Sequence, residues 1–182
     1  MVSGSLRRGS TNTAALQTAR VVAPDGIDTV LYEGIDRLPH FNPDDDVILL
    51  DPAVADLRAA IRGADAVVFS TPEYAGALPG SFKNLLDWTV GDDQTGSIYE
   101  KPVGWVNVSA APTGAADAHE SLRKVLGYIH ASVVADACAS IPVPRHLVGA
   151  DGVIDDPTVR AGITRVLATL ASHVAGLDRD SA

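Results

Sequence analysis

The sequence predicts an α/β protein in which a parallel β-sheet carries helices on both faces. Three observations point there. Short apolar, strand-like runs alternate with longer stretches of helical spacing, as in successive βαβ units. The loops richest in Gly, Pro and Ser directly follow strand-like runs, so they fall at the carboxyl edge of such a sheet, where open α/β folds bind ligands. A chain of 182 residues suits one domain with a substantial core.

The elements are justified in chain order. Met1, Val2 and Ser3 begin a first strand, and a helix containing Leu16 and Ala19 follows. Residues 29–32 suit a second strand. Leu57, Ala60 and Ile61 mark a short helix opened by Asp51-Pro52 and closed by Gly63. Residues 66–70 read as a buried strand, and Phe82, Leu85 and Leu86 as the apolar face of a helix introduced by Pro79-Gly80. Residues 102–108 form the next strand. Leu122, Val125, Leu126 and Ile129 recur at i, i+3, i+4 and i+7, which predicts a helix. Residues 132–135 give the last strand, and a long helix carries Val159, Ile163, Val166, Leu167, Leu170 and Val174.

Five strands and five helices are the inventory of a flavodoxin-like three-layer sandwich, with a five-stranded parallel sheet of order 2-1-3-4-5 and helices on both faces. Without a repeat or linker, residues 1–182 read as a single domain. The first strand is short for an interior position: three residues precede Gly4, whereas strands usually run to about five. An apolar extension upstream is therefore expected to stabilise the fold.

Composition narrows the function. Charged residues make up 20% of the chain, hydrophobic residues 46%, and the formal net charge is -9. Such an acidic surface argues against nucleic acid or anionic membrane as partner. The apolar region of residues 125–144 is interrupted by His130 and Asp136, which disfavours a membrane span. A single cysteine, Cys138, excludes an intrachain disulfide and suits a cytoplasmic protein.

Three loops carry the chemistry. The first, S-G-S-L-R-R-G-S-T-N over residues 3–12, leads into a helix. Ser5, Ser10, Thr11 and Asn12 supply short polar groups, Gly4 and Gly9 permit tight bends, and Arg7 or Arg8 adds positive charge. A helix N-terminus behind such groups suits a phosphate. Capping alone would need only one of them. Gly4 and Gly9 have half of a Walker A spacing, but Ser10 stands where the lysine is required, and there is no G-x-G-x-x-G. A terminal monophosphate such as that of FMN fits better. The second loop, T-P-E-Y-A-G-A-L-P-G from residue 71, is longer than a structural βα connection of about two to six residues. Its stiffened backbone suits the edge of a flat heterocycle, with Tyr74 over a face. The third, S-A-A-P-T-G-A-A-D over residues 109–117, is small and flexible in composition.

Other residue types offer less. His40, His119, His130, His146 and His173 lack metal-site spacing, so no metal site and no catalytic acid, base or nucleophile is expected. Cys138 reads as core filler, the run of Asp44, Asp45 and Asp46 as a solvated loop, and Trp88 and Trp105 as packing. Ser81 lacks the G-x-S-x-G of a hydrolase.

Together, G-S-L-R-R-G-S-T-N, then L-P-H-F-N-P-D (residues 38–44), then T-P-E-Y-A-G-A-L-P-G-S-F-K-N-L-L-D-W resemble the NADPH-dependent FMN reductase family, in register from residue 3 to about residue 170. The resemblance implies non-covalent FMN and NADPH or NADH as co-substrate, with a quinone or free flavin as the small acceptor. It also implies a homodimer or homotetramer, in which helices near Phe82 and Leu122 are expected to form the contact. It implies that Ser5, Arg7, Ser10, Thr11 and Asn12 surround the phosphate. Pro72, Glu73, Tyr74, Ala75 and Gly76 line the ring, with Glu73 and Tyr74 acting largely through backbone, and Ser109 closes the opposite edge. Two positions depart from the pattern: Ala75 replaces an asparagine common in the family, and Pro112 stands where Gly-Gly pairs are typical. Hydride transfer in such a protein belongs to the cofactor. The alternative is a flavin-binding electron carrier that does not itself oxidise NAD(P)H; the low aromatic content, 5%, favours an open flavin face and the reductase.

Overall fold

The computed structural model describes residues 1–47, 49–90 and 97–180. Within them strands and helices run β1 (Val2–Ser3), α1 (Thr11–Val22), α2 (Pro52–Arg62), β2 (Val67–Ser70), α3 (Gly80–Asp87), β3 (Pro102–Asn107), α4 (Ala116–Tyr128), β4 (Ser132–Ser140) and α5 (Pro157–Asp180). The strands form one parallel sheet of order β1-β2-β3-β4.

Strand alternation divides the core in two. Val67 and Phe69 of β2, with Val103 and Trp105 of β3, face α2, α3 and α4. Val68 and Val106 face α1 and α5, meeting Leu16, Ile163, Val166 and Leu170. Because side chains alternate between the faces of a strand, apolar residues at neighbouring positions feed both cores. The three-layer arrangement therefore stands.

The strand count does not. Among the described residues four strands form the sheet, not the expected five in the order 2-1-3-4-5. Residues 29–32 meet β1 through an isolated parallel bridge, Val2 to Tyr32, beside a hydrogen bond from Tyr32 N to Met1 O of 2.9 Å. Val2 also pairs with Phe69, so this segment lies on the far side of β1 from β2. A two-residue β1 has too little ladder to extend, and Val30 is left 74% exposed.

β4 is longer than the expected residues 132–135. Its register jumps: Val103 pairs with Val133 but Trp105 with Cys138, so extra residues of β4 bulge opposite Gly104. A Cβ on Gly104 would lie 2.6 Å from Ala137 O and 2.9 Å from Ala137 Cβ. Exposed Asp136 within this stretch broke the apolar pattern from which the strand was read.

α2 ends where its local chemistry dictates. Asp51 accepts from Ala53 N at 2.8 Å, Pro52 opens the first turn, and Gly63 N donates to Ala59 O at 2.9 Å. The segment before it, residues 38–46, is clamped onto α3. Asn84 Oδ1 accepts from Phe41 N and its Nδ2 donates to Pro39 O, both at 2.8 Å; Trp88 Nε1 also donates to Pro39 O at 2.8 Å. Arg58 pairs in bidentate fashion with Asp46 at 2.8 and 2.9 Å while donating to Trp88 O. The acidic run is thus not merely solvated, since Asp46 is recruited by a buried arginine.

Phe82, Leu85, Leu86, Trp88, Leu122 and Leu126 are buried inside the chain, which leaves the outer faces of α3 and α4 for any subunit contact. Tyr128, at the end of α4, is 79% exposed. Among the described residues, no helix is long and apolar enough to cross a membrane.

Candidate functional site

The exits of β1, β2 and β3 stand side by side in the sheet, so the three distinctive loops line one edge. Gly4 N continues the ladder to Ser70 O at 2.8 Å. A Cβ on Gly4 would sit 2.8 Å from Thr71 Cβ and 3.0 Å from Phe82 Cγ, so only glycine lets the first two loops approach this closely. Ser3 Oγ accepts from Ser5 N, and Ser5 Oγ from Arg7 N, both at 3.3 Å; Arg7 O accepts from Ser10 N at 3.2 Å. These local serine bonds wind the loop toward α1. Gly9 turns it with a φ of 63°.

Ser10 occupies the N-cap of α1, yet its side chain makes no capping bond. Ser5 and Ser10 are buried, Thr11 is half-buried, and Arg7 and Arg8 are exposed. Asn12 is buried, and its Oδ1 accepts from Ser70 Oγ at 3.0 Å. It ties α1 to β2.

The second loop makes a two-residue turn. Tyr74 and Ala77 exchange backbone bonds of 3.0 and 3.1 Å around Ala75 and Gly76, whose φ values are 51° and 69°. Pro72 is half-buried and Tyr74 is 54% exposed. Glu73 is engaged through its side chain: Oε2 accepts from Ala118 N at 3.1 Å in the first turn of α4. A carboxylate at a helix N-terminus is favourable on both hydrogen-bonding and dipole grounds. The partners are far apart in sequence, so no local signal reveals this brace.

Asn107 organises the third loop. Its Nδ2 donates to Gly114 O at 2.6 Å and its Oδ1 accepts from Ser109 N at 3.0 Å; Ser109 Oγ then accepts from Ala111 N. Gly114 and Ala115 are both left-handed, with φ of 60° and 53°, and redirect the chain into α4. His119 is buried behind this turn. Its Nδ1 is 2.9 Å from Ala115 O, while its Nε2 has no hydrogen-bond partner among the described residues. Burial lowers the His119 pKa, against the opposing effects of the Ala115 carbonyl and Glu73. The sequence did not mark this histidine.

Cys138 is half-buried, and burial pushes its thiol up to about 11, so it remains protonated and unreactive at neutral pH. Trp88 and Trp105 are core residues, 1% and 5% exposed. A depression of about 200 Å³ beside the first loop is lined by Ser5, Leu6, Thr13, Tyr32 and Asp36, among others. A larger cavity of about 670 Å³ lies between β4 and α5, touching none of the three loops; its lining includes Ile141, Pro157, Val159 and Arg165.

The arrangement offers an anion-accepting helix start, a rigid turn with an exposed tyrosine, and a braced small-residue loop. Residues 1–143 match the model of the NADPH-dependent FMN reductase family. The NAD(P)H-dependent FMN reductase of Pseudomonas aeruginosa is 34% identical over 169 residues, covering 93% of this chain and 90% of that protein. The quinone reductase of Escherichia coli K12 is 34% identical over 133 residues, covering 72% and 70%. Among solved structures, FerB of Paracoccus denitrificans, a flavoenzyme NAD(P)H:(acceptor) oxidoreductase, is similar with a TM-score of 0.80 and 27% identity, covering 94% of this chain and 96% of that one. With residues 1–143 matching the family model and a relative 34% identical over 93% of the chain, this chain belongs to the NADPH-dependent FMN reductase family.

Proposed function

We propose that the three loops hold FMN and that the protein takes electrons from NADPH or NADH and passes them to a small acceptor such as a quinone or free flavin. The observation that carries this reading is the start of α1. Ser10 stands at the N-cap without capping, so the first-turn amides keep their donors for a ligand, next to the exposed Arg7. Four N–H groups at a helix start have no intrahelical partner, and together with the helix dipole they suit a phosphate.

The residues fit the group. Ser5, Ser10 and Thr11 bring hydroxyls to the phosphate and Arg7 brings charge, while Asn12 holds the loop from below through Ser70. Pro72, Glu73, Tyr74, Ala75 and Gly76 form the wall along the ring, and Ser109 the opposite edge. FMN, when bound, supplies the hydride and electron chemistry. The chain's part is to bind and orient: Glu73 fixes the second loop on α4, Asn107 fixes the third, and Tyr74 stands at the rim where it can cover one face of a flat ring. No side-chain acid or base is required.

The chain acts as one domain over residues 1–182, in the cytoplasm, as a homodimer or homotetramer. The unpaired Cys138 supports the compartment, and the outward Tyr128 beside the exposed face of α4 supports association. Arg7→Ala tests the phosphate loop. Fluorescence-quenching titration should give on the order of tenfold weaker FMN binding, with riboflavin, which lacks the phosphate, nearly unchanged. Equal loss for both flavins, or no loss for either, would refute the assignment.

A further inference from the structure

The connection from β4 to α5 returns across the sheet to the first loop. Ile141 N donates to Asn107 O at 2.7 Å and Val143 N to Val108 O at 3.1 Å, so the chain first follows the exit of β3. It then turns at Arg145–Leu147 and folds back through the bridge of Val148 with Ile154. Ile154, fully buried, donates its N–H to Thr18 Oγ1 on α1 at 2.9 Å. These contacts fix the turn against α1 and carry Arg145 to the phosphate loop: a Cβ on Gly9 would lie 3.7 Å from Arg145 Nη2.

Arg145 therefore joins Arg7 and Arg8 around one short loop. All three are exposed, and among the described residues none of their side chains makes a hydrogen bond or ion pair. Arg58 and Arg160, by contrast, are engaged with Asp46 and Asp155. In a chain of net charge -9, an arginine brought to Gly9 beside a loop that itself carries Arg7 and Arg8 adds local positive charge that an anion would neutralise. A phosphomonoester carries about 1.5–2 negative charges, and beside the neutral amides and hydroxyls of the loop Arg7 supplies only one positive charge.

We propose that Arg145 is a second cationic arm of the phosphate subsite, reaching Gly9 from the β4–α5 connection to grip the FMN phosphate alongside Arg7. It makes the site select a phosphorylated flavin over riboflavin. The proposal rests on the reading of the first loop as the FMN-phosphate loop.

The test titrates FMN and riboflavin into the full chain freed of flavin, for wild type, Arg145→Ala, Arg145→Lys and Arg7→Ala. Arg145 is exposed, so its truncation should leave the fold intact, checked by an unchanged melting temperature without ligand. The expected result is about five- to tenfold weaker FMN binding for Arg145→Ala, riboflavin unchanged, and partial recovery with lysine. If Arg7→Ala weakens FMN selectively but Arg145→Ala does not, the inference fails while the loop reading survives. If neither variant changes the preference for FMN over riboflavin, the loop reading itself fails. Equal weakening of both flavins by Arg145→Ala would overturn the inference in favour of a packing role. A raised KM for NADPH but not NADH, with FMN binding intact, would overturn it by assigning the arginine to the nucleotide.

Discussion

Ala75 sits at a φ of 51° inside the two-residue turn of the second loop. With Gly76 also left-handed, this is the geometry that favours Asn-Gly, because asparagine tolerates the left-handed region and alanine does not. Ala75→Asn is therefore expected to raise stability by about 1 kcal/mol, read as a higher urea midpoint; a lower midpoint would show that the turn carries no such strain. His119 gives a second residue-scale expectation. Its folded-state pKa lies below the ordinary 6.5, so as pH falls below about 6.5 the unfolded chain takes up a proton that the folded chain resists. Stability from this group is complete above that pH and declines beneath it until the folded pKa is reached. His119→Gln should flatten the fall in melting temperature between pH 7.5 and pH 5. Identical slopes in both proteins would assign the acid sensitivity to another group. The sequence marked Ala75 as a departure from the family pattern, but neither its left-handed angle nor the missing partner of His119 was legible there, because both are set by the surrounding fold.

Among the elements, the weakest reading concerned the two ends of the sheet. α2 was legible from Asp51, Pro52 and Gly63 because caps act within a turn of the helix they bound. β4 was not, because its bulge exists only in relation to β3. Gly104 is the residue that permits it, and Gly104→Ala would press a methyl group against the Ala137 carbonyl. Relief would require either loss of the bulge or separation of the strands. The expected cost is about 1–3 kcal/mol, measured by denaturant unfolding. FMN binding should weaken as well, since Ile141, directly after β4, is bonded to Asn107, which holds the third loop. A variant as stable as wild type would mean that β4 shifts freely against β3.

At the scale of the whole molecule, the apolar faces of α3 and α4 are spent on the chain's own core, so the proposed association would use what lies outside it. Tyr128 at 79% exposure and Val90 at 57% mark the ends of those helices. Tyr128→Glu is expected to shift sedimentation at micromolar concentration from a dimer or tetramer toward 18.9 kDa monomers. An assembly unaffected by that charge would place the contact elsewhere, and a wild-type protein sedimenting only as monomer would remove the proposal of association. By itself, the sequence determined the alternation of strand and helix, the boundaries of α2, and the three loops at the carboxyl edge of the sheet. Periodicity, caps and turn residues act over a few positions, so they can be read locally. Tertiary structure alone decided that residues 29–32 bridge to β1 instead of forming a strand. It also decided that Glu73 braces α4, that Asp46 meets Arg58, and that Arg145 arrives beside Gly9. Each of these joins segments distant in sequence, and such contacts follow from how packed layers place one element against another.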